Sequence, residues 1–229
     1  MAHYRTGSTL LANLLNCHPE IFVDGEIFSS FSTSYFKKVL FPETYINIQS
    51  QKTPCQFYGF DLKIDQLILS LSKFHRTPLK FIENLCRNGW KIIYLKRNNL
   101  LRKAISDLSA NARRQWHDTP ENPLLKAPIS IDCQKLIKFI EWCEKMNRKE
   151  EQVIQELSCL RLIYETHLLN SETHQQTIDN IFSYLGTYSV PVKTKMKKIS
   201  THNLADDIIN YEEVVDFIQA TKYHHFLEN

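Results

Sequence analysis

Apolar positions along this chain alternate between two spacings, one suited to helices and one to strands. In STLLANLLN (8–16) they fall three and four apart, which predicts a helix with one buried face and Ser8 or its neighbour as cap. The next apolar stretch, 21–23, is short, and Asp24-Gly25 after it reads as a turn. Residues 26–40 are aromatic and serine-rich and read as loop and helix. QFYGFDL (56–62) reads as a strand, followed by a helix from about Asp65 to Phe74. Thr77-Pro78 opens another helix by the cap-then-proline rule, ending near Gly89.

KIIYLK (91–96) is a compact strand with a hydrophobic centre, and Leu100 to about Arg113 carry a helical pattern. WHDTPENPLLKAPIS holds Pro120, Pro123 and Pro128 and reads as a long irregular loop, a kind of segment that often carries function. A long helix is expected from Asp132, its cap, to about Leu157. After it come a strand (159–164), a helix ending at Gly186, a basic loop (192–200) and C-terminal helices. Strands separated by helices predict one α/β domain over 1–229 with a mostly parallel sheet. In such a sheet a helix starting at Ser8 should be fed by a buried strand of about 4–6 residues. Only MAHY precedes Arg5, so the first strand is expected to be short or truncated.

Composition narrows the function classes. The 229 residues, 43% hydrophobic and 23% charged, suit a globular chain with a sizeable core rather than a disordered one. There are only five glycines, Gly7, Gly25, Gly59, Gly89 and Gly186, and their scatter builds neither a G-x-G-x-x-G fingerprint nor a two-glycine Walker loop. The six cysteines form no C-x-x-C pair, which favours reduced thiols over a disulfide framework or a zinc site. No apolar run approaches the ~18 residues of a membrane span, and no secretory signal opens the sequence, so a cytoplasmic location is expected. A net charge of +3 is too mild to argue for nucleic acid.

Two strings carry chemistry. Arg5-Thr6-Gly7-Ser8-Thr9-Leu10 is a short loop running into a helix. Backbone N–H groups and the positive end of the helix dipole favour a bound phosphate or sulfate there. Gly7 permits close backbone approach, Ser8 and Thr9 add hydroxyls, and Arg5 adds a permanent charge. A plain helix start beside an arginine would use the same residues. Ser8 stands where a Walker loop has its lysine, which argues against a magnesium triphosphate. The second string is Arg97 after strand 91–96, followed by Ser106 in RNNLLRKAIS. An arginine at the carboxyl end of a parallel strand sits where such sheets bind ligands.

Together these strings resemble the sulfotransferases that use 3′-phosphoadenosine 5′-phosphosulfate, most of all the bacterial branch acting on carbohydrates and small acceptors. R-T-G-S-T-L-L looks like the family's 5′-phosphosulfate loop, and L-K-R-N-N followed by A-I-S looks like its 3′-phosphate motif. The resemblance implies a three-layer, P-loop-like α/β fold, with Arg5 to Leu10 holding the 5′ end and Arg97 and Ser106 the 3′-phosphate. It also implies no metal and a late basic segment, Lys195, Lys197 and Lys198, closing over the 3′-phosphate; a solvated face is the ordinary meaning of such a cluster. The chain departs from the pattern at Asp61 in G-F-D-L-K, where related sequences lead one to expect lysine.

Sulfuryl transfer needs a held donor, charge neutralisation at the leaving phosphate and a base for the acceptor hydroxyl. Arg5 and the helix start serve the second need, and Glu26 in VDGEIF is the expected base, with Asp24 its near rival and His18 and His117 more distant ones. Arg113, Trp116 and His117, with Arg114, open the proline-rich loop and are expected to line the acceptor pocket; the resemblance implies a carbohydrate, glycolipid or small metabolite as acceptor. The competing reading is a truncated or catalytically silent nucleotide-binding paralogue. A kinase using ATP is the third, disfavoured by the missing Walker lysine.

Overall fold

A computed structural model describes residues 1–29, 41–71, 77–116, 127–196 and 203–228, with backbone alone at 69 and 70. The chain divides into two compact units, one of residues 1–96 and 146–194 and the other of 97–145 and 195–229.

In the first unit Ser8–Leu15 forms α1, as its apolar spacing predicts. Of the two expected positions it is the neighbour of Ser8 that serves: Gly7, left-handed at φ 91°, occupies the N-cap position, and no side chain caps the helix. Ser8 is not the cap because its hydroxyl is engaged elsewhere, accepting a hydrogen bond from Lys63 Nζ at 2.9 Å. Strand β1 spans Ile21–Glu26 and pairs in parallel with β2, Phe57–Asp61. Asp24-Gly25 is therefore not a turn that ends the strand. It marks a register slip between Asp24 and Glu26, a bulge in which the Asp24 carboxylate accepts from the Gly25 amide at 2.8 Å.

A helix absent from the sequence reading, α2 (Pro42–Lys52), precedes β2. Its polar positions leave no clean apolar stripe, and only Pro42 at its start and Glu43 in its first turn mark it. Helix α3 covers Ile64–Leu71, and α4 covers Pro78–Arg87 with the Thr77 hydroxyl accepting from the Lys80 amide, as the cap-then-proline pattern requires. Strand β3 (Ile92–Lys96) pairs in parallel with β4 (Cys159–Ile163). After β4 come a single turn, α7 (Tyr164–His167), and α8 (His174–Leu185), which ends at left-handed Gly186.

Residues 1–3 run between the two strand pairs. The Ala2 amide donates to the Leu62 carbonyl at 3.1 Å, and the Leu95 amide donates to the Met1 carbonyl at 3.0 Å. Ala2 forms a parallel bridge with Leu95, and the Met1 amine donates to the Ile93 carbonyl at 2.6 Å. The short amino-terminal run thus links β2 to β3.

Successive side chains of a strand point to opposite faces, and β3 shows which helices cover each. Ile93 and Leu95 join the cluster containing Leu11, Leu14, Ile178 and Phe182 of α1 and α8. Ile92 joins Leu67, Phe81 and Ile82 of α3 and α4. The hydrophobic segment of β3 read from sequence is therefore covered on both faces.

The second unit is built on α5 (Leu100–Arg113), the first part of α6 (Cys133–Ile154) and α9 (Tyr211–Gln219). The unit boundary falls within α6. Leu101, Leu136, Ile140 and Ile218 form its core. The expected Asp132 cap is present, its carboxylate accepting from the amides of Gln134 and Lys135. Among the described residues no helix is long and apolar enough to cross a membrane.

Candidate functional site

The loop before α1 is shaped by two left-handed residues, Arg5 at φ 56° and Gly7 at φ 91°. Thr6, buried between them, ties the turn by donating its hydroxyl to the His3 carbonyl at 2.7 Å. Gly7 has a second constraint besides its φ: a Cβ there would stand 2.8 Å from Cδ2 of Tyr164, whose ring packs over it from the start of α7. The first intrahelical donor is the Leu11 amide, bonded to the Gly7 carbonyl. The amides of Ser8, Thr9 and Leu10 therefore lie in the turn whose N–H groups have no acceptor within the helix, the positive end of its dipole.

Beneath this loop lies a buried cation. Lys63 follows β2 at its carboxyl end and is only 1% exposed. Its ammonium stands 2.7 Å from Asp61 Oδ2 and 3.7 Å from Glu26 Oε1. It also donates to Ser8 Oγ and to the His3 carbonyl, and it lies over the Tyr4 ring. The parallel pairing brings this about, because Glu26 and Asp61 are register partners at the ends of β1 and β2. Burying an ammonium costs several kcal/mol, which two carboxylates and two hydrogen-bond acceptors offset here.

Glu26 is the partly exposed member of this cluster, with its side chain 34% accessible. Gln66 of α3 donates to its Oε2 at 2.7 Å and to the Tyr4 hydroxyl at 3.1 Å from the same amide nitrogen. Burial pushes the Glu26 carboxyl above its ordinary value, with the Asp61 charge adding to the rise and Lys63 and the Gln66 hydrogen bond opposing it. Asp65 is raised as well, again chiefly by burial. The arrangement can present negative charge to an incoming proton at Glu26 beside a helix start that attracts anions.

The first unit brings Arg5, Thr6, Gly7, Ser8, Thr9 and Leu10 together with Glu26 through Lys63. Asp24 is engaged elsewhere, accepting from the Tyr58 hydroxyl at 3.3 Å and from Gly25. His18 is buried, its Nε2 3.1 Å from the Tyr188 carbonyl and its Nδ1 accepting from the Glu20 amide, which makes it a packing residue. In the second unit Arg97 and Ser106 are each only 6% exposed, the latter on α5. Arg113 donates to the Ala127 carbonyl at 2.6 Å, and Trp116 is half-exposed. Lys195 is exposed, while His117, Lys197 and Lys198 lie outside the described residues.

Lys63, Gln66 and Tyr4 were not singled out from sequence. The available signal was the lysine two residues after Asp61, at the strand end where parallel sheets gather ligand-facing groups. Among the described residues no group of His, Cys, Asp and Glu could hold a metal ion. No family model, curated protein or solved structure matches this chain.

Proposed function

We propose that the protein transfers a sulfuryl group from 3′-phosphoadenosine 5′-phosphosulfate to a hydroxyl of a carbohydrate, glycolipid or small-metabolite acceptor, on a P-loop-like three-layer fold. The observation that carries the reading is the Lys63 ammonium, which binds Ser8 of the anion loop and approaches Glu26 in one buried cluster. It couples the loop suited to a sulfate or phosphate to the carboxylate suited to act as base. The strand order β1, β2, residues 1–3, β3, β4, with helices over both faces, supports the fold assignment.

In this reading the acceptor oxygen attacks sulfur, its proton passes to Glu26, and the bond from sulfur to the bridging phosphate oxygen breaks. The donor supplies an activated sulfuryl group and a stable bisphosphate leaving group. Arg5 and the first-turn amides of α1 neutralise charge growing on that leaving oxygen. Lys63 holds Ser8 in place, and its charge opposes the rise that burial imposes on the Glu26 carboxyl. Arg97 and Ser106 retain the 3′-phosphate role that their motif resemblance implies.

Calorimetric titration with 3′-phosphoadenosine 5′-phosphate against ATP tests the assignment. Binding of the former is expected, weakened about tenfold or more by Arg97→Ala or Ser106→Ala, consistent with loss of a charge-assisted hydrogen bond. Glu26→Gln should bind the nucleotide and fail to transfer sulfate. Absence of binding to the bisphosphate overturns the proposal, whereas tight binding with no transfer to any hydroxyl acceptor assigns the protein to a catalytically silent class.

A further inference from the structure

The first unit contains a cavity of about 530 Å³, within the range of about 300–1,000 Å³ usual for small-molecule sites. Its two long walls are backbone edges: Phe57 to Leu62, of β2 and just past its end, and Trp90 to Ile93, leading into β3. Leu11 and Leu15 of α1 line it from one face of the strands, Ile82 and Leu85 of α4 from the other. The cavity is therefore a slot at the level of the sheet. On the α4 side its lining is aromatic. Trp90, from one wall, stands edge-on to Phe60 and Tyr58 of the other, with ring centroids 5.4 and 6.2 Å apart. Asn47, Gln56 and Asn88, all exposed, also line it and mark its open side.

The walls carry hydrogen-bonding groups of known direction, because backbone polar groups of a strand alternate sides. Phe57 donates its amide toward β1, to the Glu20 carbonyl, so Phe57 and Gly59 face that strand. The N–H and C=O of Tyr58 and Phe60 turn the opposite way, into the slot, as the Leu62 carbonyl does in accepting from Ala2. On the other wall the Ile93 carbonyl and the Leu95 amide bond Met1, and the Ile93 amide faces the same side. One wall thus presents donors and acceptors, and the other presents a donor.

These four sides select a shape and a chemistry. A wholly apolar molecule would leave the edge groups unpaired, which is unfavourable in a space that excludes water. A molecule polar all over would set its polar atoms against Leu11, Leu15 and the Trp90 and Phe60 rings. A planar ring with polar atoms on its rim and none on its faces satisfies both demands. A lactam edge, N–H beside C=O, complements Tyr58 and Phe60, and an acceptor on the far edge takes the Ile93 amide. Where Met1 and Ala2 bridge the walls, these stand about 10 Å apart, twice the ordinary strand spacing. That width accepts one such ring in the plane of the sheet, bonded through both edges.

We propose that the slot binds a planar heteroaromatic lactam, a ring of the purinone or pteridinone kind, between the Tyr58–Phe60 edge and Ile93. The ring lies with the Trp90 and Phe60 side chains on one face and Leu11 and Leu15 on the other. This inference does not depend on the proposed reaction.

The test uses the full chain and three bicyclic probes of similar size: lumazine, 1,3-dimethyllumazine and naphthalene. Lumazine is expected to bind in calorimetry and to slow hydrogen exchange at the Tyr58, Phe60 and Ile93 amides about tenfold or more. Dimethyllumazine keeps the ring and its carbonyls but has no lactam N–H, so it should bind about tenfold more weakly. Naphthalene, with no polar rim, should bind more weakly still. Saturating 3′-phosphoadenosine 5′-phosphate should leave lumazine binding unchanged. Ala12→Phe, which adds a ring at a position lining the slot, should weaken lumazine about tenfold or more. Should that variant fail to fold, exchange in the wild type decides. The proposal is overturned if lumazine leaves the three amides exchanging as before, or if naphthalene binds as tightly as lumazine. Displacement of lumazine by the bisphosphate also overturns it, since the ring would then occupy a nucleotide site instead of the slot.

Discussion

Lys63 Nζ donates to Ser8 Oγ at 2.9 Å, joining the end of β2 to the first residue of α1 from a position with almost no solvent contact. A lysine so placed has structural consequences that can be separated from any role in binding. Lys63→Met keeps the side chain's length and removes the charge, leaving the Asp61 carboxylate, 12% exposed, without its ion-pair partner. Breaking a buried pair from one side costs about 3–5 kcal/mol. A loss of about 3 kcal/mol in urea denaturation at pH 7 is expected. Adding Asp61→Asn should restore part of it, because a neutral amide has less need of the cation. A loss below about 1 kcal/mol for Lys63→Met would show that the cluster contributes little to folding.

Gly7 meets two separate demands, and a double-mutant cycle can divide them. Gly7→Ala places a Cβ at a left-handed φ, at a cost of about 1–2 kcal/mol, and drives it to 2.8 Å from the Tyr164 ring. Overpacking of that kind adds about 1–3 kcal/mol. In a Tyr164→Ala background the clash is gone and only the backbone cost remains. The effect of Gly7→Ala should therefore shrink by about 1–3 kcal/mol in that background. Equal effects in both backgrounds would leave backbone strain as the whole cost.

The elements with a strict period or a matching cap were legible in the chain. α1, β3, α4 with its Thr77 cap and the start of α6 at Asp132 all lie close to their expected places. What escaped is instructive in physical terms. Asp24-Gly25 carries a turn signature because its side chain binds its own backbone, yet pairing with β2 resumes at Glu26 and absorbs the irregularity as a bulge. α2 escaped because helices with mixed faces give no periodic signal. In the candidate site, the loop before α1 was visible as a string of local residues. Lys63 was not, because its meaning depends on parallel pairing that brings residues 8, 26 and 61 to one place.

Glu26 predicts a pH dependence of defined sign. Its folded-state pKa is raised from the ordinary 4.5, so the native protein holds this proton more tightly than the unfolded chain does. Stability from this group is present at acid pH and declines as pH rises from 4.5 through the raised folded value. Asp65 contributes with the same sign. Denaturation midpoints across that window should fall less steeply with pH in Glu26→Gln than in the wild type. Were Glu26 the base, transfer activity would rise with pH through the same raised value, since the carboxylate must be ionised to accept a proton. Parallel stability slopes for the two proteins would refute the assigned burial effect.

In the second unit Asn99 performs two tasks with the two ends of one amide. Its Oδ1 accepts from the Arg102 amide at 2.8 Å and caps α5, and its Nδ2 donates to the Phe226 carbonyl at 3.0 Å. Asn99→Ser keeps an oxygen able to cap the helix but is too short to reach Phe226. It should cost about 1 kcal/mol, the worth of one ordinary hydrogen bond. Asn99→Ala removes both functions and should cost about 1 kcal/mol more, the usual value of a cap. The two losses should separate spatially. Hydrogen exchange at the start of α5 should quicken only in Asn99→Ala, whereas carboxypeptidase release of residues after Phe226 should quicken in both variants. If Asn99→Ser digests like the wild type, the Phe226 bond does not hold the carboxyl end.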